Sequence, residues 1–210
     1  NPSTQSSATI NNTTTSSWTV ENLLTYERSF GKHNLNLVGL YSAQQDEFVR
    51  FNANARDVPN DDFLFYNLGR ANIAPVINPD LQNYTLTGLV STMGRLMYSY
   101  DDRYMLTASY RFDGSSRLAP GNKWFSYPAI SAGWNIHKES FMSNVGKANQ
   151  LKLRVGYGLT SNQAVDPYKT LGSLGAQPYN FGATNVFGFN VFESPNPNLG
   201  WEFSATTNYA

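Results

Sequence analysis

The stretch that decides the fold runs Arg95-Leu-Met-Tyr-Ser-Tyr100, Asp101-Asp102-Arg103, Tyr104-Met-Leu-Thr-Ala-Ser-Tyr-Arg-Phe-Asp-Gly114, with Trp124-Phe-Ser-Tyr-Pro-Ala-Ile-Ser-Ala-Gly-Trp-Asn-Ile136 following it. Over these three segments every second residue is apolar or aromatic. Leu96, Tyr98 and Tyr100 share one face, as do Tyr104, Leu106, Ala108, Tyr110 and Phe112, and then Ile130, Ala132, Trp134 and Ile136. Arg95, Met97, Ser99, Thr107, Ser109, Arg111, Ser131, Gly133 and Asn135 fall between them. A repeat of two means strands, because successive side chains leave a pleated strand on opposite faces. Strands of about ten residues with one apolar and one polar face are what a transmembrane β-barrel requires.

The alternation recurs on either side. Trp18, Val20, Leu24 and Tyr26 oppose Thr19, Glu21, Thr25 and Glu27, although Asn22 and Leu23 stand on the wrong faces. Gly31 marks a tight connection before Leu35, Leu37 and Tyr41, which oppose Asn34, Asn36 and Ser42. The cleanest case is Leu151 to Thr160, where Leu151, Leu153, Val155, Tyr157 and Leu159 oppose Lys152, Arg154 and Thr160. A last strand begins at Leu199, with Trp201, Phe203, Ala205 and Tyr209 against Glu202, Ser204, Thr206 and Asn208. Between them the period fails from about Ala43 to Thr87 and from Ser161 to Asn198, spans rich in Asn, Pro and Gly. Asn1 to Ser17 reads as a polar stretch, and a helical turn is expected near Ser140-Phe141-Met142.

The expected fold class is therefore all-β: an antiparallel transmembrane barrel wall, partial, of about seven strands with long extracellular loops. Every second connection between antiparallel strands lies on one side, so 43–87, 113–123 and 161–198 are expected outside and 28–33, 101–103 and 137–150 in the periplasm. Register decides which face meets lipid. An Arg or Lys near the bilayer midplane costs ~2–4 kcal/mol, and a slip of one residue exchanges the faces. Arg95, Arg111, Lys152, Arg154 and Glu202 are accordingly lumen-facing candidates. Leu96, Tyr98, Leu106, Tyr110, Ile130, Trp134, Leu153, Val155, Tyr157 and Trp201 are lipid-facing candidates. Tyr98, Tyr100, Tyr104, Trp124 and Trp134 lie near strand ends, where amphipathic rings favour the membrane interface. Phe181, Phe187, Phe189 and Phe192 are candidate ligand or partner contacts in the last long loop.

Composition narrows the alternatives. The chain has 210 residues, no cysteine, formal net charge zero, 14% charged and 14% aromatic residues, which argues against disorder and gives no electrostatic case for a nucleic-acid partner. Without Cys there are no disulfides, thiol nucleophiles or thiolate metal sites. Mean hydropathy is negative, as it is for barrels whose strands turn half their residues to a polar lumen. His33 and His137 sit in connections with no metal-binding spacing, and Asp113-Gly-Ser-Ser116 lacks a nucleophile elbow. Asp61-Asp62 and Asp101-Asp102 lack the spaced oxygen donors of a calcium loop. Neither catalysis nor a cofactor is expected. Residue 1 is Asn, and the opening shows no charged n-region or apolar h-region; the chain is expected to be an internal piece of a longer protein.

Gly94 to Arg117, Trp124-Phe-Ser-Tyr-Pro-Ala-Ile-Ser-Ala-Gly-Trp134, Leu151-Lys-Leu-Arg-Val-Gly-Tyr-Gly158 with Thr160-Ser-Asn-Gln163, and Pro195-Asn-Pro-Asn-Leu-Gly-Trp-Glu202 together resemble the barrel of SusC/RagA-type TonB-dependent transporters of Bacteroidetes, in the same order. The resemblance is specific over 88–202, weaker before it, and departs at Val155, Gly156, Leu159 and Ser161. It implies an outer-membrane barrel of about 22 strands with a plugged lumen. It further implies a plug domain and TonB-engaging segment that residues 1–210 do not include, a SusD-like surface lipoprotein as partner, and a glycan or peptide as substrate. Two other readings stay open: a passive porin, and a soluble carbohydrate-binding β-sandwich, whose core would use the same alternation.

Overall fold

The computed structural model describes residues 6–60, 62, 65–78, 81–143, 150–182 and 184–210, apart from the side chains of Asn185 and Phe187. Among these residues ten strands are present: β1 (Ser7–Phe30), β2 (His33–Arg56), β3 (Ile73–Val76), β4 (Asn83–Tyr100), β5 (Tyr104–Ser115), β6 (Trp124–Asn135), β7 (Lys152–Asn162), β8 (Ser173–Phe181), β9 (Thr184–Glu193) and β10 (Glu202–Tyr209). The main sheet follows β1-β2-β4-β5-β6-β7-β10, with β3 added to β2, while β8 and β9 pair with each other. The seven strands of that path are the seven expected. Contacts group Asn1–Trp18 with Gln45–Thr87 in one unit, and Thr19–Gln44 with Gly88–Ala210 in another.

In the second unit the ladder is continuous. β4 and β5 pair from Leu89↔Ser115 to Tyr100↔Tyr104, and β5 and β6 from Gly114↔Trp124 to Tyr104↔Trp134. β7 pairs β6 from Ala129↔Gly158 to Asn135↔Lys152, and β10 pairs β7 from Glu202↔Asn162 to Tyr209↔Val155. The β4–β5 connection is three residues, Asp101 to Arg103, built on a turn with Asp101 and Asp102 at φ 52° and 51° and closed by the Arg103 N–H donating to the Tyr100 carbonyl at 2.9 Å. Two left-handed central residues give the turn whose twist matches a hairpin, and Asp is among the residues that tolerate them. Gly31 supplies φ 57° in the β1–β2 hairpin, as its position suggested. A 3₁₀ turn at Ser140–Met142 confirms the expected helical turn.

Almost nothing here is a conventional core. Among the described residues the buried apolar side chains are Ala55, Leu68, Leu118 and Ala119. Leu106 is 36% exposed and Leu153 46%, so the apolar face does not close on a second sheet and the soluble-sandwich reading loses its core.

Three expectations need correction. The opening is strand from Ser7, not an irregular stretch; β2 runs on to Arg56; and β4 already begins at Asn83, with β3 and a 3₁₀ turn at Leu68–Arg70 between them. The 161–198 span contains the β8–β9 hairpin. Polar residues on both faces erase a hydropathy period without weakening the backbone ladder. Ser-Ala-Thr-Ile-Asn-Asn-Thr over 7–13 is such a strand, and β8–β9 hides its period the opposite way, with aromatics on both faces. Of the apolar island at 63–66, Phe63 and Leu64 lie outside the described residues, as does Asp61; Phe65 and Tyr66 are exposed with ring centroids 4.4 Å apart.

Candidate functional site

The register turns the alternation into two surfaces. Directly paired residues point the same way. Leu96, Ala108, Ile130 and Tyr157 form one row across β4 to β7; Tyr98, Leu106, Ala132 and Val155 form the next, and Tyr104, Trp134 and Leu153 the one below. Tyr110 pairs with Gly94 and Pro128 on this same dry face. Leu106, Tyr110, Ile130, Leu153, Val155 and Tyr157 are exposed, and Leu96, Tyr98 and Trp134 half-buried. Trp201 stands one residue before β10, and its indole Nε1 donates to the Lys123 carbonyl at 3.0 Å, so it is tied to a connection rather than seated in a paired row.

The opposite, wet face carries Met97, Thr107, Ser131, Gly156 and Asn208 in one row and Arg95, Ser109, Ala129, Gly158 and Thr206 in another. All five lumen-facing candidates fall on it: Arg95 opposite Ser109, Arg111 opposite Tyr127, Lys152 opposite Asn135, Arg154 opposite Gly133, and Glu202 opposite Asn162. They are not brought together into one cluster. Arg111 is neutralised in place: its Nε donates to both Asp113 oxygens at 2.9 and 3.1 Å, its Nη2 to Ser91 Oγ at 3.2 Å, and its guanidinium lies 6.0 Å from the Tyr127 ring centroid. Arg95, Arg154 and Glu202 form no salt bridge among the described residues, and Lys152 reaches only the Met105 sulfur, at 3.5 Å. The unpaired cations therefore sit on the polar face, where water solvates them.

At the hairpin rim, rings continue across five strands. Phe30 stacks on His33 at 5.0 Å, His33 lies 4.9 Å from Tyr100, Tyr100 6.5 Å from Tyr104, and Tyr104 6.3 Å from Trp134. This is an aromatic girdle of the kind that borders the apolar band of a barrel. His33 is thus a rim residue, its Nδ1 2.7 Å from the Tyr98 hydroxyl. Sequence reasoning missed the hub beneath the girdle. Glu139 Oε1 accepts from Tyr104 OH at 2.7 Å and Trp134 Nε1 at 3.0 Å, while Oε2 meets Arg103 Nη1 at 3.3 Å. These bonds, the tyrosine's foremost, hold the Glu139 carboxyl below its ordinary range. Asp101 is likewise held down, chiefly by the hydrogen bond from Lys32 Nζ at 3.0 Å. No spacing in the sequence signalled Glu139, because its partners meet it only once the hairpin closes.

The loop rim is packed differently. Ser91, Asp113, Ser115, Leu118 and Ala119 are buried there. Ser116 and Gly88 exchange hydrogen bonds, the Ala119 N–H donates to the Leu199 carbonyl at 3.0 Å, and Arg117 Nη1 to the Val165 carbonyl at 3.1 Å. Trp124 stacks on Phe112 at 5.0 Å and covers Gly114, where an added Cβ would fall 2.5 Å from the indole. Of the four loop phenylalanines, Phe181, Phe189 and Phe192 are exposed, and the side chain of Phe187 lies outside the described residues. Register puts Phe181, opposite Thr184, on the other face of the hairpin from Phe189, opposite Ala176, so they form no single platform. At the hairpin's base Lys169 Nζ meets both Glu193 oxygens at 2.7 and 2.8 Å, which raises the lysine's pKa.

No family model matches the chain. Full-length comparison does find relatives. A TonB-dependent receptor of Formosa agariphila is 36% identical over 202 residues, 96% of this chain and 20% of that protein. The TonB-dependent receptor SusC of Bacteroides thetaiotaomicron is 38% identical over 130 residues, 59% of this chain and 13% of SusC. This chain belongs to the SusC/RagA-type TonB-dependent transporters. The RagAB peptide transporter has the same fold, with a TM-score of 0.79 at 20% identity over 96% of this chain and 22% of that one. The chain spans about a fifth of the length of the curated relatives it matches. In a SusC/RagA-type barrel the two surfaces above are the two faces of a wall, one apolar and one polar.

Proposed function

We propose that this chain is part of the wall and mouth of an outer-membrane importer of large nutrients, oligosaccharide or peptide. Energy reaches it through TonB acting on a plug in the lumen, and a SusD-like lipoprotein closes the extracellular mouth. The dry face meets outer-membrane lipid and the wet face lines the permeation route. The hairpin rim, 28–33, 101–103 and 137–150, lies in the periplasm; 43–87, 113–123 and 161–198 lie outside.

The observation that carries this reading is that Arg95, Arg111, Lys152 and Arg154 all fall on one face across four consecutive ladders, opposite the rows built from Leu96, Tyr98, Leu106, Ile130, Trp134, Leu153 and Val155. β5 and β6 have 12 residues each. At about 3.3 Å per residue and a tilt near 40° that length crosses about 30 Å, enough for an apolar band about 25 Å tall. Bond-breaking chemistry has no part in it.

Two measurements test the proposal in the full-length protein. Cysteines at Leu106 and Leu153 should react with lipid-phase reagents and those at Ser109 and Lys152 with aqueous ones; the reverse pattern refutes the face assignment. Uptake of labelled nutrient should stop when TonB is deleted, whereas a passive porin would be indifferent to the deletion.

A further inference from the structure

A ladder of amides and a hydroxyl crosses β1 and β2. Asn52 Nδ2 donates to Asn11 Oδ1 and Asn54 Nδ2 to Thr9 Oγ1, at 2.5 and 2.6 Å. A cavity of about 650 Å³ opens over it, lined by Asn52, Asn54 and Arg56 on one side and by Ile73, Val76 and Leu81 on the other. The Asn52 backbone carbonyl accepts from Gln82 Nε2 at 2.8 Å, which ties the far wall down.

Two features of this cavity ask for a ligand. Asn52 is 2% exposed, yet its Oδ1 has no hydrogen-bond partner. A buried acceptor left unpaired costs free energy until something donates to it. Exchanging the amide's oxygen and nitrogen, with Asn11 turned to match, only replaces an orphan acceptor with an orphan donor. Arg56 is exposed at the cavity's edge, and its guanidinium fork forms no salt bridge among the described residues. β3 adds to this. Its four residues are exposed, and among the described residues it pairs with β2 alone, which leaves its other edge of backbone groups for strand addition.

We propose that this cavity binds the carboxyl-terminal end of a peptide. Arg56 takes the terminal carboxylate, whose geometry matches its paired donors. The side-chain amides of Asn52 and Asn54, each with donor and acceptor, serve peptide backbone groups. Ile73 and Val76 take an aliphatic side chain. Among the described residues the lining contains no aromatic ring on which the C–H face of a sugar could stack, which favours peptide over oligosaccharide. The inference rests on the import reading, which leaves the two open.

The test uses full-length protein in detergent and a random pentapeptide library made both as free acids and as carboxyl-terminal amides, with maltoheptaose as the glycan probe. Retention is read by mass spectrometry. Free acids should be retained about tenfold better than amides, the scale of one charge-assisted pairing. R56Q should abolish that preference, and Arg56→Lys, which keeps the charge, should lose only part of it. Because Arg56 is exposed, neither substitution threatens the fold. Equal retention of acids and amides, an unchanged preference in R56Q, retention of maltoheptaose instead, or retention of nothing overturns the proposal. Uptake of the labelled acid library separates the two layers: uptake by R56Q at the wild-type rate sinks the peptide site alone, and TonB-independent uptake by wild type sinks the import reading.

Discussion

Replacing Ile130 by Arg tests the face assignment where it is most expensive to be wrong. Ile130 is four residues along β6 from Trp134, which sits in the girdle. At about 3.3 Å per residue and a tilt near 40°, it stands about 10 Å above the rings, close to the middle of an apolar band about 25 Å tall. It is flanked by Ala108 and Tyr157, which offer a guanidinium no carboxylate. An arginine at that depth costs about 2–4 kcal/mol, which lowers the folding equilibrium constant about 30- to 700-fold. The matched control is Thr107→Arg, three strand positions from the same rim but on the opposite face, paired with Met97 and Ser131. There the side chain reaches water, and the expected change is within about 0.5 kcal/mol. Both variants of the full-length barrel would be refolded into lipid vesicles and titrated with urea. Equal losses would refute the two-surface argument, and a larger loss for Thr107→Arg would show that the faces are exchanged.

Three further outcomes follow from the rims. Gly114→Ala places a Cβ 2.5 Å from the Trp124 ring, so it should destabilise by about 1–3 kcal/mol, and most of that loss should vanish in a Trp124→Ala background, read as a double-mutant cycle in the same titration. Asp113→Ala strips Arg111 of its bidentate partner and leaves Ser91 a weaker one at a buried position; a loss of about 1–3 kcal/mol is expected, and no loss would mean that solvent replaces the carboxylate fully. Asp101 and Glu139 both have depressed carboxyl pKa values, so their contribution is present above the ordinary carboxylate range, about pH 4, and disappears as pH falls through the lower folded values. Because Glu139 accepts from the Trp134 indole, tryptophan emission should shift below pH 4 and not between pH 5 and 8, and Glu139→Gln should remove the acid step.

The wall was legible in the sequence and its extensions were not, for one physical reason. Along Tyr104 to Phe112 and Leu153 to Leu159 one face meets an apolar medium and the other a polar one, so the residues record the pleat. From Ser7 to Ser17, and over much of 43–56, both faces are polar, and a ladder made only of backbone bonds leaves no mark in hydropathy. Asn22 shows the noise within the signal. It stood on the wrong face by sequence, yet β1 carries straight through it, since one exposed amide does not outweigh the strand's pairing. The charged face was legible because Arg95, Arg111, Lys152 and Arg154 alternate with apolar residues along their strands. Glu139 and the Asn52 cavity were not, because each depends on segments that are distant in sequence: Tyr104 for the first, Gln82 and β3 for the second.

Pro128 shows how one residue divides the wall. It pairs with Tyr110 of β5, but it has no N–H to offer β7. The β6–β7 ladder correspondingly runs only from Asn135 to Ala129, the residue beside it. Below that point the sheet is held by an unbroken lattice of backbone bonds that is indifferent to side-chain identity on the wet face. Above it the β5–β6 ladder continues to Gly114↔Trp124, but along the β6–β7 seam side chains take over from the backbone: Phe125 stacks on Phe203 at 5.5 Å and Trp201 caps Lys123, while Leu118 and Ala119 are buried nearby. A mouth held by side chains can be rebuilt by substitution, whereas a crossing held by its ladder cannot. That division locates the change-tolerant part of this wall at the β6–β7 seam on the Trp124 side of Ala129.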